Sequence, residues 1–134
     1  MKSNNDTSIM RRGCIYKIIS DKTDKIYIGS TTQLLPIRLQ QHFNSYHSYI
    51  NGYSNTYISS FEIIKLAGNI QIILLESVSY NKLTKLELLT REGEYILMPQ
   101  FSNVIVNINN PTPINYKPIK PDINTITNYF FNHS

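Results

Sequence analysis

The chain has little of what membrane and extracellular proteins usually show. Its 134 residues include one cysteine, Cys14, and no tryptophan. A single cysteine cannot form an intrachain disulfide, which fits a reducing compartment. No apolar stretch approaches the roughly 20 residues of a membrane-spanning helix, and the polar residues 1–12 lack the apolar run of a signal peptide. The sequence therefore predicts an intracellular protein without membrane contact, in the cytoplasm or nucleus, or in a host cell if a virus or phage encodes it.

Acidic residues are also scarce. Nine Asp and Glu residues stand against 13 Lys and Arg residues, which gives a formal net charge of +4 with the cations dispersed along the chain. This balance is compatible with binding a phosphate backbone, although many basic proteins bind nothing acidic. The shortage of acids argues against a site built from several clustered carboxylates around two metal ions.

The most informative stretch is 13–30, GCIYKIISDKTDKIYIGS. Two runs rich in Ile and Tyr flank the polar segment 21–24, a pattern that predicts a β-hairpin. If the numbers of facing residues sum to an odd value, Tyr16 and Tyr27 lie on one face as direct or diagonal neighbours. Cys14 falls inside the first strand, where a structural role is more plausible than that of a nucleophile.

A helix is expected after the hairpin, from Pro36 to about residue 46, because apolar residues recur there at helical spacing. Arg38 and His42 are four residues apart and lie one above the other on another face of this helix. Residues 46–55 are rich in Tyr and polar residues. They predict a loop whose tyrosines either pack on their own domain or stack on unpaired bases.

The second half of the chain predicts two more helices and one strand. A helix is expected over 56–66, and the nearly continuous apolar run 70–75 predicts the central strand of a small sheet. A last helix is expected over 79–98, with a capping box at 84–87. Its apolar face is assigned to Leu83, Leu86, Leu89 and Leu97.

The sequence predicts a single folded domain over 13–108. Residues 1–12 are expected to form a flexible N-terminal segment. Residues 109–134 are rich in Asn and Pro and predict an extended tail that can end in one short helix.

The two tripeptides of the hairpin, Cys14-Ile15-Tyr16 and Tyr27-Ile28-Gly29, resemble the paired motifs of the GIY-YIG nuclease superfamily. The first departs from the pattern at Cys14, with Gly13 one place earlier, and the second matches fully. The resemblance covers roughly 13–107 and points to a compact stand-alone member, of homing-endonuclease, viral or phage type. It implies an α+β (α/β) fold with a small central three-stranded antiparallel sheet flanked by helices.

The resemblance also implies a set of site residues. In the family an Arg and a His or Tyr follow the second motif at the distance of Arg38 and His42, and a metal-binding Glu corresponds to Glu92. An asparagine about a dozen residues later helps to fix the site; Asn107 fits best and Asn103 competes with it. The implied catalytic residues are Tyr16, Tyr27, Arg38, His42 and Glu92, and the residues that orient the site or substrate are Gly29 and Asn107.

By this resemblance the chain is an endonuclease that cleaves DNA with one divalent ion, Mg²⁺ or Mn²⁺ as a substitute, bound by Glu92. Tyr16 is the implied base, with His42 as the alternative, because a phenol with a pKa of about 10 is a poor base unless Arg38 and the metal favour its anion. Target specificity would then come from an oligomer or a partner. The competing interpretations are a DNA-binding module of the same fold without useful catalysis, and a structural protein with a chance hairpin.

Overall fold

The computed structural model describes residues 9–107, so the tail over 109–134 and its expected helix lie outside the described residues. The elements in chain order are β1 (Met10–Ser20), β2 (Thr23–Thr31), α1 (Leu35–Ile50), α2 (Phe61–Ile64), β3 (Ile70–Asn81), α3 (Leu86–Ile96) and a 3₁₀ helix at Pro99–Phe101. The three strands form one antiparallel sheet in the order β2-β1-β3. This confirms the predicted α+β class with a small three-stranded sheet. None of the helices within 9–107 is long and apolar enough to span a membrane.

The central strand is β1, not the apolar run at 70–75, so that prediction was wrong. β3 is an edge strand that extends to Asn81, and Leu74 in its middle is 50% exposed. The reason lies in β1, which begins at Met10, before the expected domain start, and pairs with β3 from Met10 opposite Asn81 to Ser20 opposite Ile70. With β2 on its other side, β1 has both edges hydrogen-bonded.

The hairpin register places the two site tyrosines on one face, as predicted. Tyr16 is opposite Gly29, and Ile18 is opposite Tyr27, so the two tyrosines are diagonal neighbours. Their ring centroids are 6.4 Å apart. The turn is tight, because Ser20 and Thr23 already face each other across it.

Each face of the sheet has its own apolar cluster. α3 covers one face through Leu88 and Ile96; the strands contribute Ile15, Ile26 and Ile28 to that cluster. The opposite face carries Tyr16 and Ile18, and it is covered by α1 through Leu39 and by α2 through Ile63. Successive strand residues point to opposite faces, so the single strand β2 sends Tyr27 towards α1 and Ser30 towards α3.

The helices differ from prediction mainly in length. α1 extends to Ile50, and the expected turn follows at Gly52, which has φ +81°. The second helix shrinks from the expected 56–66 to one turn. Its first hydrogen bonds, from the amides of Phe61 and Glu62, reach back only three residues, the 3₁₀ spacing that rarely propagates.

α3 begins at Leu86 rather than at residue 79, because residues 79–81 belong to β3. The expected capping box is wrong: Glu87 Oε1 accepts a hydrogen bond from the Asn81 amide at 2.9 Å instead. The expected apolar face is also wrong in part, because Leu83 is 75% and Leu86 48% exposed. The side chains that α3 buries are Leu88, Glu92 and Ile96.

Candidate active site

The hydroxyl of Tyr16 is the centre of a hydrogen-bonded cluster between the hairpin and α1. Tyr16 is fully buried, and its oxygen accepts a hydrogen bond from Arg38 Nε at 3.1 Å. The same oxygen lies 2.8 Å from Nε2 of His42. The Tyr27 ring lies edge-on to His42, with centroids 5.3 Å apart. The i, i+4 spacing on α1 thus directs both Arg38 and His42 to one phenol, on the face where Tyr16 and Tyr27 meet.

The imidazole of His42 is neutral and held at both nitrogens. Its Nδ1 lies 2.8 Å from the hydroxyl oxygen of Ser60, which is fully buried. Burial, and secondarily the charge of Arg38, lower the pKa of His42 to about 4. In the tautomer that we assign, the hydroxyl of Tyr16 donates to Nε2 of His42, and Nδ1–H donates to the hydroxyl of Ser60. The result is a chain of donors from Tyr16 through His42 to Ser60.

Burial keeps the phenol of Tyr16 protonated at neutral pH. It raises the pKa of Tyr16 to about 12, even though the charge and hydrogen bond of Arg38 lower it. Arg38 alone therefore does not create a tyrosinate.

Glu92 reaches the end of β2 from the other face of the sheet. Its carboxylate is 8% exposed and accepts a hydrogen bond from the hydroxyl of Ser30, the residue after Gly29. Burial raises the pKa of Glu92 to about 7, while the bond from Ser30 and the charge of Arg38 lower it. Because burial disfavours the ionised form of Glu92, a cation bound beside the carboxylate would stabilise it.

The donor set around Glu92 suits one loosely held hard cation. Residues 9–107 contain no group of three or more His, Cys, Asp and Glu side chains that could hold a metal ion. A single carboxylate oxygen beside a hydroxyl oxygen fits an ion such as Mg²⁺, which keeps several waters and binds through one or two carboxylates. It does not fit Zn²⁺, which takes three or four protein ligands.

Asn107 fixes the backbone between Tyr27 and Gly29. Its Oδ1 accepts from the Ile28 amide at 2.9 Å, and its Nδ2 donates to the Ile28 carbonyl at 2.7 Å. Asn107 is 4% exposed, whereas Asn103 is exposed to solvent. The side chain therefore continues the pairing along the outer edge of β2 beyond the bridge between Ile26 and Ile105, and it sets the position of the second motif.

The close approach of two rings explains why residue 29 is glycine. A Cβ atom at Gly29 would lie 2.5 Å from Tyr16 Oη and 3.0 Å from Tyr27 Cε2. We expect Gly29→Ala to destabilise the protein by about 1–3 kcal/mol, the usual cost of overpacking, and to displace the Tyr16 hydroxyl. Chemical denaturation and DNA nicking would measure the two effects.

The control for Gly29→Ala is Gly52→Ala, where a Cβ would meet no atom within 4 Å but the backbone has φ +81°. That change destabilises through backbone strain alone. At temperatures where both variants are folded, only Gly29→Ala should lose cleavage. Equal cleavage by the two variants would contradict the packing role of Gly29.

The lowered pKa of His42 predicts a pH-dependent contribution to stability. Between about pH 6.5 and pH 4 the unfolded chain binds a proton on His42 that the folded protein does not, so stability falls as the pH falls through this range. The raised pKa of Glu92 has the opposite effect. Between about pH 4.5 and pH 7 the folded protein binds a proton on Glu92 that the unfolded chain does not, so this contribution to stability is lost as the pH rises through this range.

Comparison of wild type with His42→Gln isolates the histidine, since Glu92 is common to both proteins. We expect the difference in unfolding free energy to shrink by roughly 3 kcal/mol between pH 7 and pH 4. Urea denaturation at each pH measures it. A difference that stays constant over this range would show that His42 titrates equally in the folded and unfolded states.

Three polar residues of the cluster were not singled out from the sequence. Ser30 holds Glu92, Ser60 holds His42, and Gln41 Oε1 accepts from Arg38 Nη1 at 3.1 Å. Ser30 and Gln41 adjoin predicted site residues, so proximity could have suggested them. Ser60 is 18 residues from His42 along the chain, and no local pattern indicates their contact.

Comparison with known proteins agrees with this geometry. A family model, the GIY-YIG catalytic domain, matches residues 12–97, well over half of the chain. The chain therefore belongs to the GIY-YIG family. Searches of curated proteins and of solved structures gave no significant match. Members of the family are endonucleases that generally need a divalent metal, so the chain has a nuclease-type function.

Proposed function

We propose that this chain is an endonuclease that hydrolyses DNA phosphodiester bonds with one divalent cation, Mg²⁺ or Mn²⁺ as a substitute. The observation that carries the proposal is the cluster itself: a buried chain from Arg38 through Tyr16 to His42 beside the buried carboxylate of Glu92. Hydrolysis needs a positioned proton acceptor, a positive group that stabilises the negative charge of the phosphoryl oxygens, and a site for a cation. Tyr16 with His42, Arg38 and Glu92 supply these in turn.

Glu92 would hold the cation, next to the hydroxyl of Ser30. The ion, when bound, would act as a Lewis acid that stabilises the negative charge of the phosphoryl oxygens. Arg38 binds the scissile phosphate with the guanidinium donors that do not bond to Tyr16 or Gln41. The residue that would hold the cation thus comes from α3, and the residue that would bind the phosphate comes from α1.

Tyr16 acts as a relay for the proton of the attacking water. As the water oxygen forms its bond to phosphorus, the bond from phosphorus to the leaving oxygen breaks, and the leaving oxygen takes a proton from solvent. The proton of the attacking water passes to Tyr16 Oη, and the phenol proton passes to His42 Nε2. The imidazolium so formed keeps its Nδ1–H bond to Ser60. This route assigns both candidate bases a role. It avoids a free tyrosinate, which burial disfavours, and instead forms a transient imidazolium, which burial and the charge of Arg38 also disfavour.

Nicking of supercoiled plasmid tests the proposed function. Purified protein is incubated with plasmid in Mg²⁺, in Mn²⁺, and in EDTA, and the open-circular and linear products are followed on gels. We expect nicking with either ion and none in EDTA. DNA binding without cleavage in any metal would support the binding-module alternative, and the absence of both binding and cleavage would overturn the proposal.

A further inference from the structure

A pocket of about 300 Å³ opens beside the site, between the end of β2, α1 and the start of α3. It shares Ser30, the partner of Glu92, and Arg38, the partner of Tyr16, with the catalytic cluster. The lining residues are Ser30, Thr31, Thr32, Gln33, Arg38, Gln41, Lys85, Leu88 and Leu89. A pocket of this volume is at the lower end of the range for small ligands, enough for about one nucleotide unit.

The lining of this pocket is cationic. It contains Arg38 on one wall and Lys85 on another, five hydroxyl or amide side chains, and no acidic residue. Within residues 9–107 the salt bridges use other cations, Lys65 and Arg91, and neither Arg38 nor Lys85 forms one, although the charge of Arg38 interacts with the carboxylate of Glu92. Two cations across one polar cavity favour an anion with several acceptor oxygens.

The backbone at Lys85 is held in a conformation that lysine disfavours. Lys85 precedes α3 with φ +55° and ψ 21°, the left-handed region. Hydrogen bonds fix it there, because its amide donates to the Asn81 carbonyl at 2.7 Å and its carbonyl accepts from Leu89 at 3.0 Å. Glycine would be the stable choice at such a position, yet the chain has a cation there, on the wall of the pocket.

We propose that this pocket binds a second backbone phosphate of the DNA, adjacent to the scissile one, with Lys85 as its cationic contact. The inference rests on the proposed function and extends it by assigning a substrate-binding residue on α3. The scissile phosphate is bound by Arg38 at the boundary that the pocket shares with the catalytic cluster. The neighbouring nucleotide then occupies the pocket, with Leu88 and Leu89 beside its sugar or base.

The test measures binding of a labelled DNA duplex by fluorescence anisotropy in EDTA, which prevents cleavage, over a series of salt concentrations. The variants are Lys85→Met, Lys85→Gly and Lys85→Arg. Lys82→Met is the matched control, because Lys82 is exposed in the same turn but does not line the pocket. Melting temperatures of all variants, and plasmid nicking by wild type, are measured in parallel.

Loss of one phosphate contact should weaken binding by about tenfold at about 50 mM salt and make the log–log salt slope shallower by about 0.9. We expect this for Lys85→Met and Lys85→Gly, while Lys85→Arg and Lys82→Met stay within about twofold of wild type. Lys85→Gly should also melt at a higher temperature than wild type, because glycine relieves the left-handed backbone. Weaker binding by a more stable protein cannot be attributed to misfolding.

Two results would overturn the inference. If Lys85→Met and Lys82→Met weaken binding equally, the pocket has no special contact with the phosphate. If Lys85→Gly binds as tightly as wild type, the loss in Lys85→Met comes from the side chain introduced. Either result leaves the proposed function intact as long as wild type nicks plasmid. Failure of wild type to bind or to nick DNA would instead overturn the proposed function, and the inference with it.

Discussion

Replacing Glu92 with glutamine is expected to reduce metal-dependent nicking by at least about a thousandfold while DNA binding in EDTA is retained. Glutamine keeps the shape of the side chain and an oxygen that can accept from Ser30, but it cannot carry the negative charge that attracts the cation. Residues 9–107 contain no group of three or more His, Cys, Asp and Glu side chains that could bind the cation instead. The protein should be no less stable, because an amide is cheaper to bury than a carboxylate.

Glu94→Gln is the matched control for this prediction. Glu94 lies two residues further along α3, is partly exposed and pairs with Arg91 at 3.0 Å. Loss of such a surface pair should cost at most about 1 kcal/mol of stability and leave nicking unchanged. Full nicking by Glu92→Gln would show that the cation is bound elsewhere. A loss of nicking in both variants would indicate a general defect of α3.

The parts of the fold that follow from local pattern were predictable from the sequence. The polar turn between two Ile- and Tyr-rich runs fixes the hairpin, and its register fixes the shared face of Tyr16 and Tyr27. The helical spacing after Pro36 places Arg38 and His42 one above the other. These features depend on residues that are neighbours in sequence or across one short turn, where geometry leaves few alternatives.

The parts that depend on distant partners were not predictable. Residues 79–81 are expected to begin the last helix, but they form strand because β1 offers them hydrogen bonds along Met10 to Arg12. The apolar run 70–75 looks fully buried, but its strand lies at an edge of the sheet. Local propensity cannot show which strand has partners on both sides.

The same distinction applies to the candidate site. Residue types and spacing indicate which side chains take part, but not the donor chain from Tyr16 to Ser60 or the protonation of its members. Burial controls the protonation of both residues. It raises the pKa of Tyr16 in spite of Arg38, and it lowers the pKa of His42 together with Arg38. The sequence-based expectation is that Arg38 and the metal together favour the anion of Tyr16; of the two, Arg38 does lower the pKa of Tyr16, but burial outweighs it.

Removal of the Tyr16 hydroxyl tests the relay directly. We expect Tyr16→Phe to lower the nicking rate by about 10²–10⁴, the usual contribution of a positioned acid or base. Without the hydroxyl, His42 Nε2 loses the partner that would bring it a proton from the substrate side, and Arg38 Nε loses an acceptor. The unpaired groups should cost about 1–3 kcal/mol of stability. DNA binding should persist, because the guanidinium of Arg38 remains.

Tyr80→Phe is the control for Tyr16→Phe, since Tyr80 is a 5% exposed tyrosine of β3 that belongs to the other apolar cluster. It removes a hydroxyl without touching the site and should nick at nearly the wild-type rate. If Tyr16→Phe nicks as fast as Tyr80→Phe, the phenol carries no proton and His42 must act on the water alone. In that case His42→Gln would abolish nicking. Under the relay, by contrast, both Tyr16→Phe and His42→Gln lose activity, because each removes one of two consecutive proton acceptors.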